Sequence, residues 1–556
     1  MPCRIPRFIV GLKRGNFPYA YSLAAEAMHS TIPLISSASG SPNAPALRSP
    51  MKDLDFVHLR HTAALGFCWL GLVTTGGAAA ASPARALPAA IAPIEAPFTM
   101  PQLQRPVFPD RTFPITAFGA KGDGGTKNTK AFAEAIAACH AAGGGRVVVP
   151  AGKWLTGAIH LKSNVNLHML EGAEIHFSDD PADYLPVVFT RWAGFEVINY
   201  SPLIYAHECE NIAITGPGRL YGHGEKWWPW AKRLDEGKVV FPGLQAQVER
   251  GTPASERIYG DPDKGLRPQF ICPINCRNVL LEGFTIAEAG PFWTIHLVYC
   301  ENVIARGLTI LTKQKPGGLK QPNTDGLNLD SSRNVLVEYC FFDVGDDAVC
   351  LKSGINEDGR RVGRPTENVV VRHVTANWCH GGIVIGSEMS GGVRNVLAHD
   401  CRFEGSNVGI RLKSNAARGG VVENIHYRDI TMRDIKTDAI QLITDYTAWG
   451  AAGKAAHHPT FRNITFRNVT CDSARRAAIV QATAHKPVQN LLLENVSITA
   501  KSGLHFEWVQ GLKLRNVTSK PAAGEPISFK HCEQVDHVPP QASGAGPRPP
   551  AQRNRS

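Results

Sequence analysis

Along most of the chain an asparagine is followed by apolar residues at alternating positions. The pattern reads SNVNLHML at Asn164, ENIAITG at Asn211, RNVLLEGFTI at Asn278, ENVIARGLTI at Asn302 and RNVLVEYCFF at Asn334. It returns as ENVVVRHVTA at Asn368, RNVLAHDCRF at Asn395, ENIHYRDITM at Asn424, RNITFRNVTC at Asn463 and QNLLLENVSI at Asn490. A last copy, QGLKLRNVTS, has Gly511 in place of the asparagine. Counted from the asparagine, positions 1 and 3 are apolar or nearly so, and positions 6 and 8 mostly apolar. Val335, Val337, Cys340 and Phe342 fill these slots in one copy; Val396, Ala398, Cys401 and Phe403 fill them in another. Such alternation predicts two short strands joined by a bend. Most copies lie 21 to 39 residues apart. A coil of that size cannot bury its own inner face, so coils must stack and share backbone hydrogen bonds at the sheet spacing of roughly 4.8 Å. The predicted fold class is all-β, a right-handed parallel β-helix or solenoid. The asparagine column is expected to form a side-chain ladder at a turn. A leucine-rich repeat would need shorter, more uniform periods with several leucines each.

A second column of short segments precedes the next asparagine in several coils. It reads DGLNL from Asp325, DAVCL from Asp347, GGIVI from Gly381, VGIRL from Val408 and DAIQL from Asp438. Leu327, Val349, Ile383, Ile410 and Ile440 align, as do Leu329, Leu351, Ile385, Leu412 and Leu442. With those facing inward, Asn328, Cys350, Val384, Arg411 and Gln441 face out.

The array needs closing at its ends, because open sheet edges invite pairing. The stretch NTKAFAEAIAACHAAGGG, from Asn128, predicts a short N-terminal capping helix with a glycine stop. Its glycine-rich exit lacks the GK[ST] of a phosphate loop. Residues 1–50 are read as an upstream extension without structure and residues 51–86 as a signal peptide. In the latter a basic-tipped start, partly offset by Asp53 and Asp55, leads into TAALGFCWLGLVTTGGAAAA. Candidate cleavage sites are Ala-Ala-Ala at residues 78–80 and Ala84-Arg85-Ala86, which implies export to the periplasm or the medium. Residues 87–110 are expected to be a linker, residues 111–535 the β-helix domain, and residues 536–556 a disordered, Pro/Ala/Gly/Arg-rich tail.

The formal net charge of +11 is concentrated at the two ends, which leaves the body with only +3. A body so nearly balanced is not a nucleic-acid binder by charge. Of thirteen cysteines, Cys3 and Cys68 precede the body, and no zinc-type spacing appears. Several of the others fall on the repeat as small apolar residues. No cofactor, metal or membrane partner is expected after leader removal, and a monomer is expected.

Aligned on the inward positions, Asp325 and Asp347 share a column, Asp346 is their neighbour, and His380 follows in the column of Asp346. Arg411 and Lys413 lie on the outward face of the coil beyond. An aspartate at a strand start is commonly a turn residue, and a lone histidine or surface arginine is unremarkable. Their co-alignment is different, because like charges gathered in one place call for a metal, a proton or a catalytic role.

The segments NTD at 323–325, GDDAV at 345–349, CHGGIVIGS at 379–387 and RLK at 411–413 occur in this order at coil spacing. Together they resemble the polygalacturonases of glycoside hydrolase family 28. FGAKGDG from Phe118, Trp227-Trp228 and GPFWTIH from Gly290 extend the resemblance over roughly residues 113–516. Two departures stand out: Cys379 where glycine is usual, and Leu412 in place of isoleucine, facing inward. The resemblance implies a right-handed β-helix and inverting hydrolysis of α-1,4 bonds between galacturonate units of pectin. In that reading Asp346 is the general acid, and Asp325 with Asp347 positions water. His380 keeps the proton on Asp346 or orients the sugar. Asn323, Arg411 and Lys413 bind substrate, the two cations holding a sugar carboxylate. The chemistry agrees: inversion uses one carboxylic acid and one carboxylate, clustered carboxyls separate in pKa, and an arginine fork matches a carboxylate.

A calcium-dependent pectate lyase, with the aspartates as metal ligands, and a non-catalytic polysaccharide-binding β-helix are the alternatives. The long gap between Asn211 and Asn278 is read as a wall across one end of the groove that favours exo-action, with a plain surface elaboration as the other reading.

Overall fold

In the computed structural model, residues 87–261, 263–312, 321–447 and 456–540 are described. Thirty-two of the described strands form one sheet in which each pairs in parallel with its counterpart one coil away, and Val188–Trp192, Phe195–Asn199 and Ile258–Tyr259 form a separate three-stranded sheet. The chain winds as a right-handed parallel β-helix with three strand columns. In one column Ile295, Leu327, Val349, Ile383, Ile410 and Ile440 lie in register, and Leu297, Leu329, Leu351, Ile385, Leu412 and Leu442 form a second inward row. All of these are fully buried or nearly so. Burying each such side chain contributes about 1.5–3 kcal/mol, which no isolated coil could collect. The inward rows drawn from sequence alone are the observed ones.

The asparagine column is a ladder. From Asn211 to Asn490 each Nδ2 donates to the Oδ1 of the asparagine one coil earlier, at 2.9 to 3.3 Å. All ten residues of the column have positive φ, between 54° and 65°, a backbone state in which asparagine is among the least penalised side-chain-bearing residues. Gly511, at φ 74°, ends the column; a Cβ there would lie 3.0 Å from Asn490 Oδ1.

The helix Thr129–Ala141 covers the first coil, burying Phe132, Ala135, Ile136 and Cys139 in the same core as Val147 and Leu167. Asn128 precedes it, but its side chain bonds to Lys121, Thr126 and Leu155 rather than capping the helix.

Residues 87–110, expected to be a linker, are instead a strap along the middle strand column. Ile94 and Leu103 pack on Ala213, Leu280, Ile304, Leu336, Val370 and Leu397, which occupy one outward row in register. The apolar outward row is the reason: exposed, it would leave a large hydrophobic stripe. Arg306 and Arg372 secure the strap by donating to the carbonyls of Pro88, Ala92 and Pro93, with Glu338 buried between the two arginines. The tail boundary also moves, because Asp536–Val538 is a strand paired with Lys513, Leu514 and Arg515. The expected extension, signal peptide and distal tail lie outside the described residues. Among the described residues no helix is long and apolar enough to cross a membrane, and the eleven cysteines there are free thiols.

The segment inserted after Asn211 folds into the helices Trp228–Arg233 and Phe241–Glu249 with a wide π turn, Glu236–Val240, between them. Phe241, Leu244 and Val248 share a separate core with Trp192, Phe195, Phe292 and Trp293.

Candidate active site

Stacking carries the carboxylates together. Gly326 donates to the Asp347 carbonyl and His380 to the Asp346 carbonyl, so these positions are neighbours across coils separated by more than twenty residues. A cavity of about 670 Å³ is lined by Asp325, Asp346, Asp347, His380, Lys413 and Asn323. Arg411 lies in the adjoining groove, which shares His380 with this cavity.

The acids differ in setting. Asp325 and Asp347 are buried at the floor, 3% and 1% exposed, whereas the Asp346 side chain is 25% exposed. Oxygens of Asp325 and Asp347 lie within 4.8 Å of each other, as do those of Asp346 and Asp347. His380 Nδ1 is 3.3 Å from Asp346 Oδ1 and 3.8 Å from Asp347 Oδ1. Lys413 Nζ is 2.9 Å from Asp347 Oδ2. Asp347 Oδ1 is buried and has no hydrogen-bond partner in the protein. It lies close to Gly381, where a Cβ would come within 2.9 Å of it.

These settings push the two floor carboxyls in opposite directions. Burial, with the charge of Asp346 next, pushes the Asp325 carboxyl well above the usual range; Lys352 only partly offsets this. Burial acts on Asp347 in the same sense, but the charges of Lys413, His380, Arg411 and Lys352 outweigh it and hold Asp347 below the usual range. The two floor carboxyls are therefore driven apart, Asp325 upward and Asp347 downward. The reason is geometric: Asp325 is enclosed, and its nearest cation, Lys352 at 3.6 Å, is shared with Glu388 at 2.9 Å.

Lys352 and Glu388 were not singled out from sequence. The inward parity of Leu351 makes Lys352 face out, as the parity of Leu412 does for Lys413, so the signal was present. Tyr446 had none, since only folding brings its ring 5.2 Å from the Arg411 guanidinium and 5.6 Å from Lys413 Nζ. Trp293 lies 4.4 Å from Lys352 Nζ, and Trp378, 46% exposed, also lines the cavity. Cys379, the departure beside His380, is buried in the main core and leaves His380 within reach of Asp346. Leu412 is fully buried, as its inward parity requires.

The insertion supplies Ala231, Glu236 and Gly237 to the cavity wall. Arg267 locks it in place, with Nε and Nη2 donating to Glu236 at 2.8 and 2.6 Å and Nη1 to the carbonyls of Pro291 and Pro322. Arg267 Nη2 also donates to Asn323 Oδ1 at 3.1 Å. The Asn323 side-chain oxygen is thus engaged within the protein, although the residue borders the cavity.

Two triads of donor atoms, Asp325/Asp347/Cys350 and Asp346/Asp347/His380, are tight enough for a cation. Lys413 and Lys352 already supply positive charge to the same carboxylates, which disfavours a divalent ion there.

A parallel β-helix whose outward face gathers acids in unlike settings beside cations has the parts for acid–base cleavage of an anionic glycoside. The profile of glycosyl hydrolases family 28 matches residues 259–523. The chain is 30% identical over 403 residues to a probable polygalacturonase of Vitis vinifera, covering 69% of this chain and 73% of that protein. It is 28% identical over 450 residues to an exo-poly-alpha-D-galacturonosidase of Dickeya chrysanthemi, covering 73% and 71%. The crystal structure of a hyperthermoactive exopolygalacturonase from Thermotoga maritima superposes with a TM-score of 0.69 at 38% identity, covering 76% of this chain and 95% of that one. The chain belongs to glycoside hydrolase family 28 and is a glycoside hydrolase.

Proposed function

We propose that the protein hydrolyses α-1,4 bonds between galacturonate residues of pectin, with inversion and from chain ends. The observation that carries this reading is the division of labour in one cavity: a partly exposed Asp346 beside two buried aspartates, one held ionised by Lys413. Asp346 is placed to protonate the leaving oxygen. Asp347, ionised, and Asp325 below it act together on a water that attacks from the other side. His380, shared between Asp346 and Asp347, orients the proton donor. Arg411 and Lys413 engage a sugar carboxylate, which fits the anionic substrates named for the relatives. Inversion is supported by the recessed position of the two floor carboxylates, which favours their acting through water over direct attack on the sugar.

Exo-action is supported by the insertion wall and by the similarity to exo-acting relatives. Export is supported by the signal-peptide pattern of residues 51–86; a secreted mature protein that begins beyond residue 78 is the expected result of N-terminal sequencing. The functional test is product analysis on defined oligogalacturonides with anomer detection by NMR. One short product of inverted configuration, formed in the presence of chelator and without an unsaturated chromophore, is expected. An ultraviolet-absorbing product that disappears with chelator would instead establish a lyase.

A further inference from the structure

We propose that the groove beyond the cavity carries a second carboxylate-reading fork, built on Arg476 with Arg475, which grips a galacturonate further along the polymer. The inference rests on the galacturonan reading above. A groove of about 460 Å³ runs from His380 and Arg411 to Arg475, Arg476 and Ser502. Three hydrogen bonds span it, the first two buried and the third partly exposed at Arg476. Arg411 Nε donates to Gln441 Oε1 at 2.7 Å, Gln441 Nε2 to Asp438 Oδ2 at 2.6 Å, and Arg476 Nε to Asp438 Oδ1 at 2.7 Å.

Both arginines are therefore tethered through Nε, the atom that leaves the terminal nitrogens for a ligand. Arg411 Nη1 is buried and has no hydrogen-bond partner in the protein. Arg411 is only 6% exposed, and Asp438 and Gln441 are buried as well, so the relay holds the two guanidiniums at a fixed separation. Register places Arg476 beside Asp438, two coils from Arg411, about 10 Å along the solenoid axis at the spacing of parallel strands. Arg475 is exposed next to it and has no ion pair among the described residues. Asp438 neutralises one charge, and the groove remains cationic.

Direction follows from the insertion. A chain end seated under Ala231 and Gly237 leaves the rest of the polymer only the opposite way, over these coils. A polyanion with a carboxylate on every sugar would then meet cations at separated points, Arg411 and Lys413 first and the Arg475/Arg476 pair beyond. Charge-assisted contacts of this kind give chain-length preference without touching the bond that breaks.

The test compares kcat/KM on galacturonate dimers, tetramers and hexamers for the protein and for its Arg475→Gln/Arg476→Gln variant. The wild type is expected to favour the tetramer over the dimer. In the variant that preference should fall about tenfold, through KM rather than kcat. A tetramer methyl-esterified on its distal sugars should lose the same preference on the unmodified protein, which tests the contact without relying on a variant that folds. An unchanged preference in either experiment, or no length preference in the wild type, overturns the proposal. A wild type that cleaves no oligogalacturonide of any length overturns the polygalacturonase reading itself.

Discussion

Lys413 Nζ contacts Asp347 Oδ2 at 2.9 Å although 66 residues separate them in the chain. The pair joins two outward positions on coils two apart, and the Lys413 ammonium is the largest of the influences that keep Asp347 ionised against its burial. Burial in turn opposes the charge of Lys413, and Asp347 is the main influence that restores it. Lys413→Gln should raise the Asp347 pKa. The acid limb of the pH profile of kcat/KM then moves to higher pH, and activity at mildly acid pH falls by about 10²-fold or more. Lys413→Arg should return part of the shift. An unmoved acid limb with a normal melting temperature would refute this coupling.

Asp325 works in the opposite sense. Its folded-state pKa is raised, so the native protein binds a proton that the unfolded chain releases above about pH 4. Stability from this residue is full below that value and is lost as pH rises through the raised folded-state pKa. Asp325→Asn should remove that loss: its melting temperature should exceed the wild type's at pH 8 and match it more closely at pH 4. Activity should drop by roughly 10²–10⁴-fold at either pH if Asp325 serves the attacking water. Paired melting curves and rates at the two pH values check both halves.

Arg267 is fully buried and takes its charge compensation from Glu236. Glu236→Ala leaves that guanidinium without its ion-pair partner, at a cost of about 3–5 kcal/mol. Because the same pair ties the insertion to the Asn323 turn, the wall should loosen as well. Calorimetry should show the lower melting temperature, and longer oligosaccharide products should accompany the single short product expected of the wild type.

Within the ladder, Asn368 donates to Asn334 and accepts from Asn395 at φ 55°. Asn368→Ala loses both bonds and places an alanine in a left-handed conformation, for a total near 2–4 kcal/mol. Asn368→Gly keeps the backbone state accessible and should cost less, in keeping with the natural glycine at position 511. Urea denaturation of the two variants would order them, and a glycine variant as unstable as the alanine one would contradict the backbone part of the argument.

The repeat, the inward rows and the asparagine column were readable in the sequence because a β-strand alternates faces strictly and the coil period repeats. Asp325, Asp346, Asp347, His380 and Lys413 could be brought together on paper for the same reason, since register in a solenoid is set locally, by which residues face in. Which insertion residues line the cavity, which floor carboxyl is raised and which lowered, and where Tyr446 and the strap lie were decided by tertiary structure. Those outcomes depend on burial and on distances between segments whose spacing follows no period: residues 87–110 read as a plain linker until the apolar stripe they cover was in place. The upward shift of Asp325 depends on enclosure and on a lysine shared with Glu388, and neither is a property of any local stretch of sequence.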